Sequence, residues 1–398
     1  MHTQNNTQYT APQQSHILLA TTALSVIGLW WWLQRHVDLS IHRPRQSKRQ
    51  MQTRRVQIRQ YLNTTTLNMH VYHRDGDRDG GVDGDNVDPK RVTLLDIAYT
   101  LGSGATADVL QVTSTSSSSS STPDDAFTRH GVGNTPTGDK YALKIMKHDN
   151  ICFKPHDVAS EIAVLRAVAT CKNTIDYVGV AYMDQCTVIV MRPFGNGCNT
   201  LSSWMTKRTK WSRDRGPDSG AGAGESDGWT IMLHLFRQLL AALAFLERRR
   251  IVHRDVRPAN ILIDEAVTSS SQHLKLIDFG LACRLDARGF AHGEVGSPKY
   301  AAPEVWSGFS YDHTIDWWSA GLILSEMTVV VANRRDMQLQ HLHVWIQEGI
   351  RRHDMTTLYS RLRDYEIGSH PIRMHITRLV RYNPADRATS RTLYVMDT

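Results

Sequence analysis

The spacing of apolar residues along this chain changes near residue 195. Before it, short branched runs stand between polar breaks, and Val92 to Leu101, Ala107 to Thr113, Tyr141 to Met146 and Thr187 to Met191 each read as strands. One helical pattern, Ser160 to Val168, is set among them. After it, spacings of three and four dominate. From Trp229 to Arg249 the apolar positions Met232, Leu235, Phe236, Leu239, Leu240, Leu243 and Leu246 share one helix face. The pattern predicts an α+β chain with a small sheet-rich lobe over 92–196 and a large helical lobe over 197–398.

Three stretches carry too few apolar side chains to offset the entropy of ordering them. Asp75 to Asp88 (DGDRDGGVDGDNVD) has only Val82 and Val87, and reads as the acidic end of a linker over 34–91. Its spacing also matches part of a calcium loop, but Asn86 stands where a bidentate Glu belongs and Pro89 where an exit helix should run, so a solvated linker is the reading. The serine run Ser114 to Ser121 and the stretch Gly216 to Gly228 read as surface insertions, at about 114–139 and about 207–228.

The amino-terminal end is different. After sixteen residues without Lys, Arg, Asp or Glu, Ile17 to Leu33 (ILLATTALSVIGLWWWL) is uncharged and ends in three tryptophans beside a basic run. Its length lies at the low end of what crosses a bilayer, and the aromatic cluster suits the headgroup boundary. The missing charged n-region argues for an anchor rather than a cleaved signal. Residues 1–16 then form a short non-cytoplasmic tail and 17–33 a transmembrane helix. The positive charges that follow the span put the rest of the chain in the cytoplasm by the positive-inside rule.

Composition sharpens this picture. The 398 residues are 41% hydrophobic and 21% charged, which suits a globular chain, and the net charge is +7. That excess is local: eight Lys/Arg against Asp38 alone lie between Arg35 and Gln60, leaving 38 basic and 38 acidic residues elsewhere. The folded part therefore has no overall basic excess to serve a nucleic acid, and the basic run serves the membrane surface. The five cysteines show no metal-ligand spacing and read as reduced thiols.

The candidate chemistry begins with a glycine turn between strands, Leu101-Gly102-Ser103-Gly104, followed by Val109, where missing Cβ atoms let backbone N–H groups approach phosphates. Lys144 follows on a strand (Tyr141-Ala142-Leu143-Lys144), and Glu161 on the helical pattern is a carboxylate able to pair with it. Then come His253-Arg254-Asp255-Val256-Arg257-Pro258-Ala259-Asn260-Ile261-Leu262 and Asp278-Phe279-Gly280. In this order and at these intervals the motifs resemble the signature set of the eukaryotic protein kinases, over roughly residues 92 to 390.

The resemblance implies a two-lobed fold, ATP and Mg2+ as cosubstrate and metal, and a protein as phosphoryl acceptor. By it, Asp255 is the base, Asn260 and Asp278 hold magnesium, and Lys144 grips the nucleotide phosphates while paired with Glu161. Arg257 supplies a cation near the γ-phosphate. Val109, Ala142 and Leu262 sandwich the adenine, Met191 gates the back of that pocket, and Arg192 to Phe194 form the hinge. His253, Phe279 and Leu165 resemble the stack that joins the lobes. Gly296 to Glu304 resembles the substrate-docking end of the activation segment, with Glu304 paired to Arg387 and Asp316 anchoring the catalytic loop.

Three departures matter. Ala107 stands where a third loop glycine usually lies, and Asp108 adds a negative charge near the phosphates. Arg257 replaces the lysine usual in serine/threonine kinases, while Ser297, Tyr300 and Ala302-Pro303-Glu304 match the serine/threonine pattern; a tyrosine or dual-specificity kinase and a pseudokinase scaffold are the alternatives. Leu281 to Gly296 contains no Ser, Thr or Tyr, so no phosphate can form there to face Arg254. The expectation is constitutive activity, with Glu294 or Asp286 standing in for that phosphate.

Overall fold

The computed structural model describes residues 66–72, 87–103, 107–115, 140–148, 155–183, 186–195, 198–214, 224–264, 274–332, 338–390 and 392. The expected span at 17–33, the basic run and the calcium-like spacing at 75–86 lie outside them. A compact unit runs from Tyr61 to the carboxyl terminus.

Its first lobe is a closed antiparallel barrel of β1 (Thr66–Tyr72), β2 (Val87–Ser103), β3 (Ala107–Thr115), β4 (Lys140–Lys147), β5 (Tyr177–Tyr182) and β6 (Cys186–Met191), in the order β1-β2-β3-β4-β6-β5. Helix α1 (Pro155–Val168) packs beside it. The sheet begins earlier than expected. β1 lies inside what reads as linker, pairs with β2 from Thr66↔Thr93 to Tyr72↔Val87, and meets β5 at His70↔Val180 and Val71↔Gly179. Its signal was present, because Leu67, Met69 and Val71 alternate with Asn68, His70 and Tyr72. The acidic, glycine-rich stretch after Tyr72 hid the hairpin. Ser114 and Thr115, expected in an insertion, end β3.

The second lobe is helical: α2 (Leu201–Asp214), α3 (Gly224–Arg248), α4 (Thr314–Ala332), α5 (Leu339–Arg352), α6 (Thr356–Asp364) and α7 (His370–Leu379). Two small sheets lie within it, one of β7 (Cys198–Thr200), β9 (Ile261–Asp264) and β10 (Leu274–Leu276), the other of β8 (Ile251–Val252) and β11 (Cys283–Arg284). The insertion expected at about 207–228 is narrower, since residues 207–214 continue α2 and 224–228 open α3. Packing decides this. Gly228 is buried against Arg208, whose Nη2 would stand 2.0 Å from a Cβ there, so the glycine that looked like linker lets the two helices approach.

Helix α4 is the axis of this lobe, with every residue from Thr314 to Val331 buried. It is long and apolar enough to cross a membrane by composition, as is Gly228–Arg248, yet both are helices of this folded lobe. The end of α3 is tied to the turn before α4 by His313 Nε2 and Glu247 Oε1 at 3.2 Å, while Ser390 N–H donates to Glu247 Oε2 at 3.2 Å. Burial alone would lower the His313 pKa, but the Glu247 carboxylate outweighs it and holds it above 6.5. Glu247 is likewise opposed by burial and held below its ordinary 4.5 by His313 and Ser390. A raised histidine pKa stabilises fully below its unfolded value and the benefit is lost as pH rises through the folded value; the lowered Glu247 pKa acts in the opposite sense in acid. The thermal-stability gap between parent and His313→Gln should therefore be widest between about pH 5 and 6.5 and shrink toward pH 9. A gap that is flat over that range would show that the pair does not titrate as described.

Candidate active site

The cleft side of the sheet presents Lys144 from β4. Its ammonium lies 2.7 Å from Glu161 Oε1 on α1 and 3.0 Å from Asp278 Oδ1. Burial alone would lower the Lys144 pKa, but the two carboxylates outweigh it and raise it above 10.5. Asp278, which burial would push up, is held below 3.8 by the same lysine. Lys144 engages only Oδ1 of Asp278, and the carboxylate also accepts the Gly280 N–H.

Asp255 is fixed by donors on both carboxylate oxygens. Asn260 Nδ2 donates to Oδ2 at 2.8 Å and also to the Asp255 carbonyl at 2.9 Å, while Ser297 N–H donates to Oδ1 at 3.0 Å. With its amide nitrogen committed to Asp255, Asn260 has its Oδ1 left as the ligand-type atom. Among the described residues no group of three or more His, Cys, Asp or Glu side chains could hold a metal ion. An amide and a carboxylate oxygen suit magnesium, which keeps much of its shell for phosphate and water.

The loop carrying Asp255 is set from beneath. Asp316 on α4 accepts His253 N–H at 2.7 Å and Arg254 N–H at 3.0 Å. Burial pushes the Asp316 carboxyl up, with His253 and the two backbone donors opposing it. Arg254 takes φ +66° and Asp278 φ +63°, left-handed conformations that bend the chain where these side chains must be aimed. The His253 and Phe279 rings meet edge-on with centroids 4.9 Å apart, and Leu165 is buried in the same core.

Arg257 donates from Nη1 to Ser297 Oγ at 2.6 Å, so it helps hold Ser297 beside Asp255. Gly296, at φ +94°, is required there because a Cβ would stand 2.2 Å from the Arg254 carbonyl oxygen. Further along, Arg387 forks onto Glu304 at 2.5 and 3.2 Å.

The remaining positions expected on the nucleotide side also lie on strands. Leu101, Gly102 and Ser103 end β2, with Gly102↔Val109 and Ser103↔Asp108 paired across to β3; Gly104 lies outside the described residues. Val109 is opposite Lys144, and Ala142 opposite Met191. Leu262 is on β9 of the helical lobe. Past Met191, Arg192 N–H donates to the Asp176 carbonyl at 2.9 Å, and Lys275 lies 2.9 Å from Asp176 Oδ1 and 5.6 Å from the Phe194 ring centroid.

The stand-in expected for an activating phosphate is not what is found. Arg254 donates from Nε to the Leu281 carbonyl at 2.6 Å and from Nη1 to the His292 carbonyl at 3.1 Å, and neither Glu294 nor Asp286 offers it a carboxylate. Asp286 instead caps its own turn, accepting Phe290 N–H at 2.8 Å. The segment is also bridged by Ala291 and Tyr311 through paired backbone bonds of 2.7 and 3.0 Å, and Tyr311 OH donates to the Gly293 carbonyl at 2.6 Å. Backbone acceptors do what a side-chain anion was expected to do.

Sequence reasoning missed a second cluster. Glu326, buried on α4, accepts from Lys299 at 2.8 Å, His343 at 2.6 Å and Tyr300 OH at 3.0 Å. Burial would raise its pKa, but His343 and Lys299 outweigh it and hold it low. The signal was a second carboxylate, after Asp316, deep in an apolar helix, TIDWWSAGLILSEMTVVVA, which needs partners from outside that helix.

A family description, protein kinase domain, matches residues 130–397. The chain belongs to the protein kinase family. The match covers most of the helical lobe and begins after the glycine turn, so the first strands of this kinase lie outside it. Similar curated proteins include serine/threonine-protein kinase atg1 of Aspergillus niger, 31% identical over 58% of this chain and 25% of its own length. The SNF1-related protein kinase catalytic subunit alpha KIN12 of Arabidopsis thaliana is 34% identical over 39% of this chain and 28% of its own. A putative CBL-interacting protein kinase 27 of rice is 45% identical over 24% of each. The chain thus spans about a quarter of the length of these relatives.

Proposed function

We propose that this chain is an ATP- and magnesium-dependent protein kinase that transfers the γ-phosphoryl group to serine or threonine hydroxyls, tethered to a membrane by residues 17–33 with its catalytic domain in the cytoplasm. The observation that carries the reading is the holding of Asp255. Both carboxylate oxygens accept hydrogen bonds, one from the Asn260 amide beside the metal position and one from the backbone of the docking segment at Ser297. A base so held can accept the proton of a hydroxyl presented along that segment.

The other residues position and neutralise. Lys144, kept protonated by its two carboxylates, offers a cation to the nucleotide phosphates, and Glu161 keeps it aimed. Asp278 and Asn260 would hold magnesium, which neutralises charge developing on the phosphates. Val109, Ala142, Met191 and Leu262 offer apolar surface to the adenine. Serine/threonine specificity is supported by Ser297 in the docking segment and by the names of the similar kinases. The tether is supported by the uncharged span and the basic run after it.

The test is magnesium-dependent transfer from ATP by the purified chain, with the phosphorylated amino acids identified. Phosphoserine or phosphothreonine supports the reading; nucleotide binding without transfer would identify a pseudokinase scaffold, and phosphotyrosine would overturn the specificity. Alkaline extraction of membranes tests the tether, which predicts that the chain stays with the pellet.

Activity without activation-segment phosphorylation follows from the same reading. Phosphatase-treated and untreated enzyme should turn over at the same rate. Tyr311→Phe, which removes the hydroxyl bonded to the Gly293 carbonyl, should lower that rate. A rate lost on phosphatase treatment, with the phosphate mapped to this segment, would refute it.

A further inference from the structure

Five arginines gather where the end of α3 meets β11 and the turn after it. Arg248 ends α3, Arg249 and Arg250 form the turn into β8, Arg284 lies on β11 and Arg288 in the 286–290 turn; all five are exposed. The two stretches of chain are side by side: Arg284 pairs with Ile251, Leu285 N–H donates to the Arg250 carbonyl at 2.8 Å, and Arg250 Nη2 donates to the Asp286 carbonyl at 2.5 Å. Among the described residues none of the five is in an ion pair. The acidic side chains nearby are engaged elsewhere, Glu247 inward with His313 and Ser390, and Asp286 with its own turn.

A helix C-terminus favours cations, which accounts for Arg248 and Arg249 but not for Arg284 and Arg288, which lie on a strand and a turn. The patch is also amphipathic. The Arg248 and Arg249 guanidinium carbons lie 5.8 and 5.2 Å from the Phe245 ring centroid, and Phe290, in the turn that holds Arg288, is 40% exposed. Arginine with partly exposed aromatic rings is the composition that binds a charged lipid surface.

We infer that this patch docks the helical lobe on the anionic face of the membrane that holds the tether. The inference rests on the tether proposed above, and chain length supports it. Thirty-two residues separate Leu33 from Thr66. Even fully extended they reach no more than about 110 Å, so the patch always meets lipid at high effective concentration. Each arginine near an anionic leaflet contributes about five-fold in surface partitioning, so two engaged guanidiniums give roughly 25-fold. That suffices for a tethered domain and would be weak for a free one.

The experiment reconstitutes the full chain in neutral phosphatidylcholine vesicles and in vesicles that also contain phosphatidylserine, and follows amide hydrogen exchange over residues 245–252 and 281–290. Both stretches should be protected on the anionic vesicles only, and added salt should release them. Replacing Arg248, Arg249, Arg284 and Arg288 by Gln should abolish the protection, while replacing all four by Lys, which keeps the charge, should retain most of it. If the chain floats with neutral vesicles and resists alkaline extraction, yet neither stretch is protected on anionic ones, the docking surface is refuted and the tether stands. If alkali strips the chain from the vesicles, the tether itself has failed, and the inference with it. Protection by soluble polyglutamate but not by phosphatidylserine would overturn the inference in favour of an acidic polypeptide partner.

Discussion

Asp255→Asn should lower turnover roughly 10² to 10⁴-fold, the range general-base assistance supplies, while leaving ATP affinity nearly unchanged. The two effects separate because Lys144, Glu161 and Asp278 form a cluster of their own that does not lean on Asp255. The substitution is not neutral in hydrogen bonding. Both Asp255 oxygens accept, so the new amide group must face a donor, either Asn260 Nδ2 or Ser297 N–H. Facing Asn260 would disturb the metal side, and facing Ser297 the docking side, so a rise in peptide KM without a change in ATP KM would show which oxygen was replaced. Steady-state kinetics with both substrates varied reads this directly. A loss in turnover of less than about ten-fold would mean that Asp255 is not the base.

Much of this site was legible in the sequence because its parts are short-range or carry unusual chemistry. Lys144 and Glu161 could be proposed as partners because an ammonium on an apolar strand needs a carboxylate. Asp316 and Glu304 were legible only through the resemblance to the kinase motifs that contain them, since nothing in their own spacing says which charge each meets. What was not legible depended on long-range geometry. β1 becomes a strand by closing the sheet against β2 and β5, and seven residues of alternating character do not say that a partner exists. The anionic stand-in at Glu294 or Asp286 was a reasonable reading of charge, but it ignored the backbone. Carbonyl oxygens occur at every residue and leave no trace in a sequence, and Arg254 finds two of them.

The same physics links the loop carrying Asp255 to the centre of the helical lobe. Asp316, Glu326 and Ser319 all project from α4, whose buried surface is otherwise mostly apolar. Asp316 holds the loop from beneath, Ser319 donates to the Tyr300 carbonyl at 2.8 Å, and Glu326 accepts the Tyr300 hydroxyl at 3.0 Å. One rigid helix therefore sets the Asp255 loop and the segment around Tyr300 together, so their separation is fixed by a single element rather than by two loops. Burial raises the Tyr300 pKa, and the adjacent Glu326 carboxylate adds to it, so the phenol remains a donor.

The largest effect on stability is expected at Glu304. Arg387 has a fully buried guanidinium that donates to both Glu304 oxygens and to the carbonyls of Thr314, Arg381 and Tyr382, and its plane lies over the Trp318 ring, 5.1 Å from the centroid. Glu304→Gln leaves that cation without its counter-charge, which should cost about 3–5 kcal/mol, read as a lower midpoint in chemical denaturation with an unchanged slope. Arg387→Lys should not rescue the site, because an ammonium has three donors and no planar fork to meet two carboxylate oxygens and three carbonyls at once. Replacing both residues by apolar ones isolates the remainder. The charge problem then disappears, but the carbonyls of Thr314, Arg381 and Tyr382 lose their donor, so the double variant should lie between Glu304→Gln and the parent rather than match either. If the double variant were as stable as the parent, those carbonyls would not depend on Arg387, and its role would reduce to neutralising Glu304.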